Sequence, residues 1–549
     1  MESVKKGGGL RNKIGLTYAH CGRRRFSKGF ENVIEGMPLI HRSGTQGTDW
    51  AIKMTCSYAC LLVCLSFGLH TKKWPPSKKA CVALKQTTFQ KKKKKLKKRN
   101  KKMEKLLRIL FFFAVTRALP TPPASLQHAL EPPLLPPKAV ASTPPPPYAF
   151  DLRDFGAVGN GIADDTAALQ AALNAAAAAR GGTVFIPAGT FRITATVTAT
   201  GATPLTVRGE GWQSVLLWEE DTDLLVFAPA DGSQLAHSLF TDFAVLCGGN
   251  SAAKSPASTA LKFPSGLVRS TLSTLLFFGS GTLPTGGSAV TCGTNLDLGG
   301  TSITDTVSVR DTLHWVLRGT AVVIGRGSEV RVLGGRIVGT GARNDSSIGV
   351  HVTGNNGGVH VSETDVIGLG TGILLNNTSG AGSNRETFIT HATMDSNGVG
   401  LHINDSSYVS VAGIWAASCD SANVLLAEGA SGAHLAVAGG TIFNGGALAL
   451  AGSCGNTLGC HGLEARAGDF SLSGVLVWAN KGVGLLVAPG GAEGFTVSGC
   501  RFEGNGQGAY ISNSSSNFAL VGNVLRNNHR PSALGSACAG AVVASNVVV

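Results

Sequence analysis

The sequence predicts an all-β solenoid whose N-terminal end is plugged by an α-helix. Three observations carry this. Glycine is frequent, at 73 of 549 residues, while only 15% of residues are charged. With no three-residue period, that composition excludes collagen and points to a turn-rich β protein. Short apolar segments then recur through the second half of the chain at spacings of about 20 to 26 residues, divided by Gly, Asn and Ser turns, the signature of a stacked repeat. Finally, one compact stretch, Phe150–Thr190, holds an extended segment, a glycine-rich turn, a helical run and the first strand of the repeats.

The region before that stretch is a different polypeptide. The formal charge of +15 suggests a nucleic-acid partner only if it is evenly spread. Residues 1–119 carry 28 Lys+Arg against 5 Asp+Glu, net +23, and the remainder carries 20 against 28, net −8. Residues 1–102, with the run Lys91–Lys102, read as a basic disordered segment outside the mature protein. Residues 103–119, M-E-K-L-L-R-I-L-F-F-F-A-V-T-R-A-L, have the basic start, short apolar core and small residue of a signal peptide, with Met103 as a second start. Residues 120–147 are a proline-rich extended linker, and 148–549 form the solenoid. On this reading the protein is secreted or wall-bound, the Lys run is no nucleic-acid arm, and no segment is a stable membrane span.

In the opening stretch, Gly156, Gly159 and Gly161 permit a tight turn. Asp164 or Asp165 caps a helix starting at Thr166, its carboxylate taking free backbone N–H groups. Ala167–Arg180 is almost entirely strong helix formers, with Leu169 and Leu173 on one face, and Gly181-Gly182 stop it. Thr183–Ile186 is a strand, and Pro187–Thr190 turns it.

The run D-F-G-A-x-G-x-G-x-x-D-D-T-x-A-x-Q-x-A, from Asp154 through Ala172 and including Gln170, followed by G-G-T-V-x-x-P-x-G-T, resembles the opening motif of the pectate lyase and rhamnogalacturonase-like superfamily. The resemblance implies a single-stranded right-handed parallel β-helix with an N-terminal capping helix. It covers about forty residues, and hydrolases, lyases, epimerases and phage tailspikes of that group share it.

Further on, the aromatic residues Phe388, Tyr408, Phe470, Phe495 and Phe518, with His434 between, mark successive coils. Continuous β segments are expected at Phe388–Met394, Tyr408–Trp415 and Phe495–Phe502. Asn397-Gly398 and Asn505-Gly506 suit turns, and their asparagines are expected to stack in an amide ladder. Seven cysteines lie in the body, so at least one thiol is free or pairs elsewhere, and Cys454 and Cys460 flank a loop short enough for a disulfide. Sequons at Asn344, Asn376, Asn377, Asn404 and Asn513 agree with secretion.

Chemistry is less legible. The resembling hydrolases use aspartates in N-T-D and G-D-D, with G-H-G and R-I-K nearby. Here the equivalent positions are Gly398-Val399, Ser421-Ala422 and Gly445-Gly446, and Gly459–Gly462 reads G-C-H-G. What remains is Asp395 and Asp420 as candidate catalytic carboxylates, with Trp415, His402 and His391 as candidate substrate contacts. A carboxylate beside an indole suits a sugar. Asp395 is expected to face outward in the strand row of Trp415, one coil on. Arg343, Asp345 and His351 form a second group two coils earlier. No metal cluster or organic cofactor is indicated, and Ca²⁺ enters only if the reaction is that of a lyase. The reading is a secreted polysaccharide-active protein cleaving glycosidic bonds of uronic-acid-rich, pectin-like polymers. Its alternatives are a non-catalytic glycan-binding or structural β-helix, and a polysaccharide lyase or epimerase.

Overall fold

The computed structural model describes residues 149–549 apart from 202–203, 249–256, 280–292, 318, 355, 378–384, 431, 448–458 and 491. The segments read as basic tail, signal peptide and proline-rich linker, and Cys454, lie outside these residues. The described chain is a parallel β-helix. Two sheets of 15 strands and one of 12 run its length, with a fourth of four short strands beside its first half.

One coil shows the rule. Tyr408–Ala412 lies in the first sheet, Trp415–Ala417 in the second and Ala422–Leu426 in the third. Two residues with positive φ make the corners between them, Gly413 at +61° and Ser418 at +56°. Left-handed backbone turns the chain sharply within one residue, and glycine adopts it without steric cost. The first corner is glycine in five successive coils, Gly413, Gly439, Gly474, Gly499 and Gly522. These corners correct the expected continuous segments. Phe388–Met394 is two strands, Glu386–Thr390 and Thr393–Asp395, broken at His391 with φ +51°. Tyr408–Trp415 and Phe495–Phe502 break likewise at Gly413 and Gly499.

Inward residues fill the coil. Val409, Val411, Ala416, Val424 and Leu426 are all at most 2% exposed and join one continuous apolar core. The asparagine ladder is present at the second corner. Asn423 Nδ2 donates to Asn480 Oδ1 at 2.9 Å, Asn480 to Asn505 at 2.9 Å, and Asn505 to Asn528 at 3.1 Å. Buried amides with every polar atom paired give specificity that an unpaired one forfeits. Cys419 and Gly445 occupy ladder positions without an amide, and Asn423, from the third sheet, bridges the gap.

The helix Thr166–Ala178 closes the N-terminal end, burying Leu169, Ala172, Leu173 and Ala176. It follows the strand Ala149–Asp151, a short helical turn at Leu152–Phe155 carrying exposed Asp154, and Gly156, Gly159 and Gly161, all at positive φ. Of the two candidate caps, Asp164 takes the free N–H at the start of the helix and Asp165 does not. Asp165 sits at the cap position but makes no capping bond. Its buried carboxylate turns back to accept from Val158 N at 2.7 Å and Gly159 N at 3.2 Å, pinning the preceding turn. Asp164 accepts from Thr166 N at 3.0 Å and Thr194 Oγ1 at 2.8 Å, and its hydrogen bond from Thr166 holds its pKa below the ordinary range. At the far end Arg180, not a glycine, takes the left-handed position, with Gly181 N donating to Ala176 O at 2.9 Å. Gln170 pairs with a strand. Its amide donates to Thr198 O at 2.7 Å and accepts from Thr198 N at 2.9 Å.

Cys247 and Cys460 are each engaged in a disulfide, and Cys419, Cys500 and Cys538 are free thiols. Among the described residues no helix is long and apolar enough to cross a membrane.

Candidate functional site

Asp395 ends a second-sheet strand, its neighbour Met394 buried and its own side chain outward. The register sets it opposite Ala417, while Trp415 stands opposite Thr393. The two are therefore diagonal neighbours on one face rather than members of one row, which corrects the expected alignment. Small Thr393 leaves the Trp415 indole 42% exposed. Asp395 Oδ1 accepts from Ser396 Oγ at 2.9 Å.

Asp420 lies in the turn after the next strand. Arg343 Nη1 donates to its Oδ1 at 2.8 Å. Burial pushes the Asp420 carboxyl above the ordinary range, and the positive charges of Arg343 and Lys481 oppose it. Beneath is the thiol of Cys419. Burial pushes its pKa up to about 12, the charges of Asp395 and Asp420 add to the rise, and Arg343 counteracts it. The charges of both candidate carboxylates and of Arg343 thus act on one buried thiol between the second and third sheets. Arg343 belonged to a separate group in the sequence reading, and its loop reaches this edge by lying against glycines. A Cβ on Gly398 would stand 2.1 Å from Arg343 O.

The histidines divide. His402 projects from the third sheet between buried Leu401 and Ile403, in line with Leu374 and Leu425. Burial, with Arg466 adding, lowers its pKa. His351, two coils earlier in that row, is lowered for the same reason. His391 is exposed at its corner, packed over Gly413, where a Cβ would meet its Cδ2 at 2.8 Å. His461 is interior, 1% exposed, its Nδ1 accepting from Val483 N at 3.0 Å. It is a structural acceptor rather than a surface ligand.

The sequence reading missed Phe443 and Trp478. In the row Asp395, Ala417, Phe443, Trp478, each precedes a second corner. Trp415 and Phe443 have ring centroids 5.3 Å apart, and Phe443 and Trp478 5.0 Å. Trp415 is therefore the terminal ring of a three-ring ladder, on the side of Asp395. Among the described residues no three His, Cys, Asp or Glu side chains are grouped to hold a metal ion.

A family described as "Rhamnogalacturonase A/epimerase, pectate lyase-like" matches residues 149–217. Mannuronan C5-epimerase AlgE5 of Azotobacter vinelandii is 59% identical over 44 residues, covering 8% of this chain and 4% of that protein. AlgE4 of the same organism is 54% identical over 46 residues, 8% of each. The chain thus matches only a small fraction of these relatives' length. The A-module of A. vinelandii mannuronan C5-epimerase AlgE6 superposes with a TM-score of 0.46 at 16% identity, over 73% of this chain and 99% of that one. Residues 149–217 thus match a pectate lyase-like family, and the described chain beyond them is a parallel β-helix.

Proposed function

We propose that this chain is a secreted polysaccharide-active protein that acts by acid–base chemistry on a uronic-acid-rich polymer at the Asp395–Asp420 edge. One observation carries the reading. Asp420 is paired with Arg343 at 2.8 Å, and its charge and that of outward Asp395, one coil earlier, both act on the same buried thiol, with the exposed Trp415 beside Asp395. Inverting hydrolysis needs one carboxyl to protonate the leaving oxygen and another to activate water, about 6.5–9.5 Å apart. Asp420, its pKa raised by burial, suits the acid, and Asp395 the base. Trp415 supplies an apolar face for a sugar ring.

Arg343 favours a second reading within the same site. A guanidinium matches a carboxylate bidentately, and neutralising a uronate carboxylate eases loss of the adjacent proton, the first step of elimination or epimerisation.

The full chain assayed on pectic, rhamnogalacturonan and alginate polymers separates these. New reducing ends alone mean hydrolysis, and reducing ends with an unsaturated product absorbing in the ultraviolet mean elimination. Inversion at C5 without cleavage means epimerisation. No turnover of any polymer, with glycan binding kept, overturns the enzyme reading.

A further inference from the structure

We propose that the outward face of the first sheet carries a second site, one that binds a neutral sugar unit. A cavity of about 370 Å³ opens there, a volume within the range of small-molecule sites. It is shaped by where a ladder of rings stops. Phe388 stacks on His360 on one side, centroids 4.8 Å apart and planes 17° from parallel. On its other side the same row continues with Ser410, Ala436 and Ser471. Three small residues in succession leave a floor one ring deep, walled at its end by the second face of Phe388.

The side wall is polar. Two residues earlier on the same strands stand Tyr408, His434 and Asp469. Tyr408 and His434 stack 5.3 Å apart, and His434 Nδ1 donates to Asp469 Oδ2 at 2.7 Å. That bond fixes the imidazole and leaves its other nitrogen on the opposite ring edge. An aromatic face lining one cavity with a carboxylate, an imidazole and serine hydroxyls fits a pyranose, whose apolar face stacks while its hydroxyls donate and accept.

Charge selects among sugars. The described lining contains no Lys or Arg and one carboxylate, Asp469. A uronate would meet repulsion there, whereas an uncharged ring can donate hydroxyls to Asp469. The ligand class is therefore a neutral hexose or pentose unit, as in a β-glucan, a galactan or a neutral side branch. The site shares no residue with the Asp395–Asp420 edge and does not rest on it.

Calorimetry on the full chain with neutral hexa-oligosaccharides of glucose, galactose and arabinose, and with oligogalacturonate, tests this. At least one neutral ligand should bind, about tenfold or more weakly in Phe388→Ala and in Asp469→Asn. Ser410→Trp, which fills the floor, should abolish it at an unchanged melting temperature. Asp395→Asn should retain it. Neutral binding that survives Ser410→Trp overturns the proposal. So does the absence of any neutral ligand, or a wild-type dimer that Ser410→Trp dissociates, since the face would then be an interface between copies.

Discussion

Arg343 and Asp420 are 77 residues apart in sequence, yet their side chains meet at 2.8 Å across three coils. The loop bearing Arg343 crosses the backbone at Gly370 and Gly398, where any side chain would collide with its carbonyls. Replacing the arginine by an isosteric apolar residue isolates a carboxylate whose pKa burial already raises. Such a group favours the folded state most when protonated, so its contribution is lost as pH rises from 3.8 through the raised folded value. Arg343→Met should therefore cost little at pH 4 and about 1–2 kcal/mol at pH 7, between an exposed and a buried pair. Thermal melts at both pH values check it, and an equal loss at each would show that packing, not charge, was removed.

If Asp395 and Asp420 transfer protons, Asp395→Asn and Asp420→Asn should each lower kcat about 10²–10⁴-fold. Trp415→Ala should act mainly on KM. Initial rates across polymer concentration separate the two effects, and full activity in both Asn variants would sink the site while sparing the fold.

His314 is interior, its Nδ1 within 2.9 Å of the Asn295 amide, and burial lowers its pKa to about 3. A depressed histidine contributes stability above 6.5 that is lost as pH falls toward 3, at about 1.4 kcal/mol per pH unit for one group. His314→Asn should flatten that slope in urea titrations between pH 6 and 4. An unchanged slope would mean other groups, such as His351, His402 and His461, whose values burial also lowers, set the acid limit.

Asn480 accepts from Asn423 Nδ2 and Gly445 N and donates to Asn505. Asn480→Ala strands a buried amide and a buried N–H, a loss of about 2–4 kcal/mol. Asn546→Ala, which removes the half-buried acceptor of Asn523 N and Nδ2 beside the first corner, should cost about 1 kcal/mol. Chemical denaturation of the two variants orders them.

Buried Cys419, its pKa raised to about 12, should resist thiol reagents at pH 8 until the chain unfolds, while half-buried Cys538 reacts in the native state. Mass mapping of labelled peptides decides this, and labelling of native Cys419 would mean that its coil opens.

The coil was legible from sequence because asparagines and glycines at corners are demanded by backbone geometry. Its phase was not. The aromatic residues used to align coils mix two faces. Phe470, Phe495 and Phe518 stack inside, with centroids 4.7 Å apart, while Phe388 and Tyr408 stand outside on different rows. The recurring glycine from Gly413 to Gly522 marks phase better, since a left-handed corner fixes which neighbours point outward. With that phase, Phe443 and Trp478 fall into the row of Asp395. The meeting of Arg343 with Asp420 had no such signal, because a loop crossing three coils leaves no period in the chain. For the Asp164-Asp165 pair the sequence offers either residue as the cap, and Asp164 alone takes that role. Adjacent carboxylates diverge in space, one to the helix and one to the turn behind it.

Gln170 has a consequence for self-association. The third sheet begins at the strand Val197–Ala199, and a parallel stack exposes at such a strand the groups that recruit further strands. At Thr198 both are already taken, donor and acceptor alike, by one side-chain amide that imitates a peptide unit and then ends. Copies of this chain cannot add to that edge at Thr198 without first displacing the helix, so the glutamine acts as a terminator against fibre growth.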